Sequence, residues 1–157
     1  MNINIKSPKE MQDFGCSLSK TCQSSANNEI VIYLSGNLGA GKTMLVSGFL
    51  KGFGHKGKTK SPTFTIVEPY QFDNKNIYHF DLYRLVDPNE LEYIGIRDYF
   101  SNNSIVLIEW PERAIEYLNQ ADLVCKISFV PQKPKHRQLY LTANSEIGAN
   151  IIMNYKW

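Results

Sequence analysis

The chain has 157 residues, 43% hydrophobic and 20% charged, with a formal net charge of +2. That length fits one domain over 1–157 with a sizeable core, and the near-neutral balance excludes a global field for nucleic acid, so any basic site must be local. No apolar run approaches the ~20 residues of a membrane span, residues 1–6 lack the apolar segment of a secretory leader, and Cys16, Cys22 and Cys125, without paired metal spacing, read as free thiols of a reducing cytosol.

Ser7-Pro8-Lys9-Glu10 has the form of a capping box with proline at the first helical position. Met11, Phe14, Leu18 and Cys22 then recur on one stripe, which predicts a helix packed on a sheet and ended by the polar residues 23–28. Ile30-Val31-Ile32-Tyr33-Leu34 reads as a buried strand. It enters Gly36-Asn37-Leu38-Gly39-Ala40-Gly41-Lys42-Thr43, which meets the phosphate-loop pattern G-x-x-x-x-G-K-[ST] at every constrained position. Glycines let successive backbone N–H groups point into one concavity. The following helix turns its unpaired N–H groups and positive dipole end toward the same point. Lys42 can reach the β/γ-phosphates, and the Thr43 hydroxyl can bind Mg²⁺. Leu45, Phe49 and Phe53 recur at helical spacing and Gly54 supplies a stop, completing the strand–loop–helix context that a chance Gly-rich turn lacks.

Residues 51–60 hold four lysines, one histidine and three glycines. The glycines argue against helix beyond Phe53, and the stretch is either a solvated loop or a contact for a partner or RNA. Ser61-Pro62-Thr63-Phe64-Thr65 is either an ordinary turn or a nucleotide-sensing segment of the switch type. Residues 64–70 and 77–83 are strand-like runs around Asp73-Asn74-Lys75-Asn76, a predicted hairpin. When extended, His79, Asp81 and Tyr83 share one face and Tyr78, Phe80 and Leu82 the other. Either the polar face is simply wet, or it places Asp81 near a γ-phosphate to hold attacking water or a Mg²⁺-bound water. Asp87-Pro88-Asn89-Glu90 predicts a helix start before Leu91, Ile94 and Ile96.

Residues 104–110 form an apolar run that predicts a strand buried on both faces, hence central and parallel. It delivers Glu109 to the place where P-loop folds set an acid beside Mg²⁺. Glu109 either binds the metal, directly or through water, or is an acid where a strand meets solvent. Pro111 opens a short helix. Strands at 123–130 and 137–143 flank a Pro/Lys-rich connection, and a last helix from Asn144 or Ser145 carries Ile147, Ile151 and Ile152. The predicted class is α/β, a three-layer P-loop NTPase domain with a partly parallel sheet and antiparallel additions. No N-K-x-D element follows an apolar strand, so guanine selectivity of the common GTPase type is unsupported.

With the phosphate loop, Ser61-Pro62-Thr63-Phe64-Thr65, His79-Phe80-Asp81-Leu82-Tyr83-Arg84, Asp87-Pro88-Asn89-Glu90-Leu91-Glu92 and Ile108-Glu109-Trp110-Pro111-Glu112 in this order, the chain resembles the bacterial TsaE (YjeE) family over about residues 30–113. The resemblance implies a cytoplasmic ATPase, using ATP and Mg²⁺, that is needed to make threonylcarbamoyladenosine at position 37 of tRNA. It implies a TsaD–TsaB heterodimer as partner, tRNA met indirectly, no membrane, and no transfer of the threonylcarbamoyl group by this chain. Carried over, Gly36, Asn37, Leu38, Gly39, Ala40, Gly41, Lys42 and Thr43 hold the phosphates. Thr43 and Glu109 hold the metal, Asp81 lies by the γ-phosphate, and Lys42 and Asp81 are the catalytic candidates. Glu112 and Arg137 are further candidate nucleotide contacts, with Arg137 opening a late strand. Asn37 stands where Asp is common and Met44 where a second Thr is common, and neither position is constrained.

Two other readings fit these residues. One is a small-molecule kinase, which needs an acceptor pocket and a cationic lid; Lys133, Lys135, His136 and Arg137 form only a short one. The other is an ATP-dependent binding module without useful hydrolysis. Arg84 and Arg137 are the only candidates for a self-supplied arginine, so slow hydrolysis activated by a protein surface is expected.

Overall fold

The computed structural model describes residues 1–24, 29–73 and 75–156. The predicted helix end at 25–28 and the Asn74 position of the predicted hairpin turn lie outside them. Among the described residues one sheet contains β1 (Asn2–Ile5), β2 (Ile30–Ser35), β3 (Val67–Phe72), β4 (Lys75–Asp81), β5 (Ser104–Glu109), β6 (Leu123–Val130) and β7 (Lys133–Ala143). Their order is β1-β7-β6-β2-β5-β4-β3. β2 is parallel to β5 and β6, and β5 is parallel to β4, while the remaining pairs are antiparallel. The helices are α1 (Pro8–Gln23), α2 (Lys42–Gly52), α3 (Glu90–Tyr93) and α4 (Glu146–Asn154). α1, α2 and α4 share one core with one face of the sheet. α3 and the short 3₁₀ turns near it share a second core with the opposite face. The class is a three-layer P-loop NTPase fold with a partly parallel sheet and antiparallel additions.

β2 and β5 bury nearly every residue because each has a strand on both sides and a layer on both faces, as a central parallel strand must. At the head of α1 the Ser7 hydroxyl accepts from the Glu10 N–H at 3.1 Å, and the Glu10 carboxylate accepts from the Lys6 N–H at 2.8 Å. The first bond satisfies a donor that the helix start leaves open, and the second ties the residue before the cap to the first turn.

Several boundaries differ from the sequence reading for local reasons. β3 begins at Val67 rather than Phe64, because the Ile66 N–H donates to Pro62 O at 2.7 Å and closes a turn. Ile66 itself sits at φ +66°, an outlying conformation for a β-branched residue. β4 stops at Asp81 because its carboxylate accepts the Tyr83 N–H at 3.0 Å, the side-chain turn that Asp favours. β7 runs back to Lys133 through Pro134, beyond the last residue that β1 pairs, Arg137. Proline is tolerated there because that outer side needs no donor. The predicted helix after Glu90 is one α turn, followed past Gly95 by a 3₁₀ turn at Ile96–Tyr99. β1 has no counterpart in the sequence reading, although Asn-Ile-Asn-Ile alternates with the strand period and buries Ile3 and Ile5.

α1 and α2 touch backbone to backbone. A Cβ on Gly48 of α2 would lie 2.0 Å from the Gln12 carbonyl oxygen of α1. Gly48→Ala therefore wedges the helices apart, and over-packing of this kind costs about 1–3 kcal/mol. The helix-propensity gain of about 1 kcal/mol offsets part of this. The expected net effect is a lower denaturation midpoint, read by urea titration.

Burial pushes the Cys22 thiol from 9.0 up to about 12 and the Tyr33 phenol from 10.0 up to about 12. Both groups stay protonated in the fold after they would ionise in the unfolded chain. That part of the stability is fully present below pH ~9 and is lost as pH rises toward ~12. Denaturation midpoints measured across this window should fall, and Cys22→Ala should flatten the first part of the decline.

Candidate functional site

The loop between β2 and α2 needs glycine where it leaves the strand. Gly36 has φ +146°, and a Cβ there would lie 2.4 Å from Ile127 O of β6. Gly41 is the N-cap residue of α2 and provides no side-chain cap, and the first turn has no acidic residue. The N-terminus of α2 is thus left electropositive toward the cleft. Lys42 is almost entirely buried. Its ammonium donates to Gly36 O at 2.6 Å and Asn37 O at 3.2 Å, and stands 4.0 Å from the Trp110 ring centroid. Burial lowers its pKa, opposed by the carboxylates of Glu109, Asp81 and Glu112.

The parallel register sets Asp81 of β4 beside Glu109 of β5, with Leu34 of β2 on the other side. Glu109 is 3% exposed. Its Oε1 faces the Thr43 hydroxyl at 2.8 Å and His79 Nε2 at 2.9 Å. A carboxylate oxygen accepts, so the threonine hydroxyl and the imidazole Nε2 both donate. His79 is fully buried, and its Nδ1 has no hydrogen-bond partner. The face carrying His79 and Asp81 is therefore not wet. β4 lies inside the sheet, and the face is covered by the phosphate loop and its helix.

Asp81 is saturated from a different direction. Its Oδ2 accepts from the Ser61 hydroxyl and from Thr63 Oγ1 at 2.9 Å, and these two hydroxyls lie 2.8 Å apart. The segment 61–65 is thus fastened to the acid, and the strained Ile66 marks its exit into β3. Trp110, next to Glu109, is also left-handed at φ +59°. Its ring lies 5.0 Å from that of Tyr83 and covers Lys42.

These groups line a cleft of about 340 Å³ that includes Leu38, Lys42, Thr43, Ser61, Asp81 and Glu109. The donor set suits Mg²⁺. Thr43 Oγ1 and a Glu109 oxygen already meet at 2.8 Å, and Asp81 adds a second carboxylate nearby. A hard cation that takes one or two protein carboxylates and completes its shell with phosphate and water fits such a pair.

Other sequence candidates lie elsewhere. Glu112 is exposed on a 3₁₀ turn (Pro111–Arg113), close enough to act electrostatically on Lys42 but outside the cleft wall. The Arg84 guanidinium lies 4.2 Å from the Phe64 ring centroid, and that of Arg137 bonds loop carbonyls. Neither arginine lines this cleft, but Arg137 lines a second cavity of about 130 Å³ on the other side of the loop, with Met11, Gly39, Ala40, Gly41 and Met44. Three contacts were not legible in the motifs: His79 on Glu109, the two hydroxyls on Asp81, and Trp110 over Lys42. The alternation of polar residues in 79–83 was the only signal for the first.

A loop strand followed by Gly36–Thr43 and α2, with an acid at the end of the parallel neighbour, defines a P-loop NTPase-type site. A family profile described as threonylcarbamoyl adenosine biosynthesis protein TsaE matches residues 5–139, and the chain belongs to the TsaE family. A relative in Haemophilus influenzae, described as tRNA threonylcarbamoyladenosine biosynthesis protein TsaE, is 52% identical over 123 residues, covering 78% of this chain and 76% of the relative. A Bacillus subtilis protein of the same description is 41% identical over 93 residues, covering 59% and 58%. The crystal structure of Bacillus subtilis YdiB superposes with a TM-score of 0.80 at 25% identity, covering 99% of this chain and 93% of that one. No helix among the described residues is long and apolar enough to cross a membrane.

The hydroxyl pair on Asp81 generates a prediction of its own. Hydrogen bonds to a charged group contribute about 1.5–3 kcal/mol each. Ser61→Ala combined with Thr63→Val should therefore speed amide exchange across 61–66 by about tenfold or more, while exchange in β2 stays unchanged.

Proposed function

We propose that this chain is a slow, partner-activated ATPase acting in the formation of threonylcarbamoyladenosine on tRNA. The observation that carries this reading is the convergence of Lys42, Thr43, Glu109 and Asp81 on one cleft below the phosphate loop. Family membership supplies the pathway. The partner is a TsaD–TsaB heterodimer, tRNA is met through that partner, and the setting is the cytoplasm.

In this reading the backbone N–H groups of Gly36–Thr43 receive the phosphates. Lys42 leaves the carbonyls of Gly36 and Asn37, and its ammonium turns to the β/γ oxygens. Thr43 and Glu109 hold Mg²⁺, which when bound neutralises charge across the phosphate oxygens. His79 keeps Glu109 aimed by donating to the same oxygen as Thr43. Asp81 orients the attacking water once Ser61 and Thr63 release its Oδ2. The segment 61–65 thereby changes its contacts with the state of the nucleotide, which gives a partner something to read. Neither arginine near the site lines this cleft, so activation comes from the partner, which either supplies a charge or orders this segment and Asp81.

Lys42→Ala should weaken ATP binding severely with the fold retained, as read by calorimetry and circular dichroism. Asp81→Asn should lower the rate of phosphate release far more than ATP affinity, because a water-orienting group acts mainly in the transition state. Steady-state phosphate release by the isolated chain should be slow and should rise on addition of TsaD–TsaB, where a charge supplied in trans can add ~10³–10⁵. A fast isolated enzyme indifferent to those partners, or phosphate appearing on a metabolite, would overturn the reading.

A further inference from the structure

Arg137 lies on β7 opposite Phe129 of β6 and Ile5 of β1, beside the register shift at Phe129/Val130. Its Nε donates to Ala40 O at 3.0 Å and its Nη2 to Gly39 O at 3.3 Å. Its Nη1 donates to Pro134 O and His136 O, each at 2.7 Å. The guanidinium carbon stands 4.2 Å from the Phe129 ring centroid. Among the described residues no carboxylate comes within ion-pair distance of it.

Four of the five N–H donors of this side chain are therefore spent on carbonyls, two of them consecutive carbonyls of the phosphate loop. A guanidinium is a rigid planar fork, and its Nε/Nη2 edge spans two adjacent oxygens in one plane. The aromatic face of Phe129 fixes that plane. In a trans peptide the C=O and N–H point to opposite sides. Holding Gly39 O and Ala40 O therefore fixes the directions of the Ala40 and Gly41 N–H groups. The first of these closes the loop turn onto Asn37 O at 3.0 Å. The second is left facing away from the arginine.

We infer that Arg137 is a positioning residue. It clamps the loop from the β6–β7 hairpin into its anion-binding shape. The inference rests on the nucleotide-binding reading above for its purpose, but the clamp itself consists of protein contacts alone. It acts on ATP and ADP alike, because the two peptide planes it fixes belong to the loop and not to the γ-phosphate end of the cleft.

The test compares the full chain with Arg137→Lys, which keeps the charge and loses the fork, and with Arg137→Gln. Amide exchange at Ala40 is measured without nucleotide, with β2 as internal reference, and the Kd of ATP and of ADP is measured by calorimetry. Loss of charged hydrogen bonds to the loop should speed Ala40 exchange about tenfold or more in both variants. ATP and ADP affinities should fall by the same factor, with Lys no better than Gln. Unchanged Ala40 exchange in the Lys variant, or loss of affinity for ATP alone, would overturn the clamp and leave Arg137 as a direct phosphate contact. Should the Gln variant disrupt the hairpin, seen by circular dichroism, the Lys variant decides. If the parent binds no nucleotide, the proposed function fails while the exchange measurement still judges the clamp.

Discussion

One buried carboxylate organises this molecule. Glu109 is 3% exposed at the end of β5, and a charge removed from water is tolerated only with partners at hydrogen-bond distance. It takes them from two separate parts of the chain, Thr43 at the head of α2 and His79 on β4. The phosphate-loop helix is thereby tied to the hairpin that carries Asp81, and the spacing of the cleft follows. The same oxygen that joins the elements belongs to the proposed metal pair, so architecture and chemistry share an atom. The unpartnered Nδ1 of His79 shows that this side chain satisfies the carboxylate at the expense of one of its own polar atoms.

The cleft also satisfies its cation internally. Lys42 donates to two carbonyls of its own loop and lies against Trp110. In the proposed function a phosphate replaces these contacts with stronger charged ones. On either side of the cleft stand two non-glycine residues with left-handed backbone, Trp110 and Ile66. Such conformations cost of order 1–3 kcal/mol each and persist where the surroundings over-determine them. Both adjoin groups that change partners in the proposed ATPase cycle: Trp110 covers Lys42, and Ile66 follows the segment fastened to Asp81.

Much of the fold was legible because its signals are local. The Ser7 cap, the apolar runs at 30–34 and 105–108 and the Gly36–Thr43 pattern each report a short piece of chain, and the partly parallel sheet follows from them. β1 escaped because four alternating residues are a weak signal unless a partner strand is known. β7 was read short because Pro134 argues against strand, and only the position of β1 shows that its donor is not needed. In the site, residue types and order brought Lys42, Thr43, Asp81 and Glu109 forward. What they touch depended on which strand lies beside which. His79 reaches Glu109 only because β4 pairs in parallel with β5, and Arg137 reaches the loop only because a hairpin folds over it. Neither follows from spacing along the chain.

The strand order has a consequence for how the chain is made. β2 leaves the ribosome with the phosphate loop directly behind it, yet its neighbours β5 and β6 begin only at Ser104 and Leu123. At typical synthesis rates of 5–20 residues per second the first of them follows β2 by about 4–14 s. During that interval a strand of Ile, Val, Tyr and Leu has no edge to pair with, so the nascent chain presents a sticky segment. Non-local parallel pairing of this kind is slow and aggregation-exposed. The loop that follows β2 is made early and takes its final surroundings only when β5, β6 and β7 have joined the sheet.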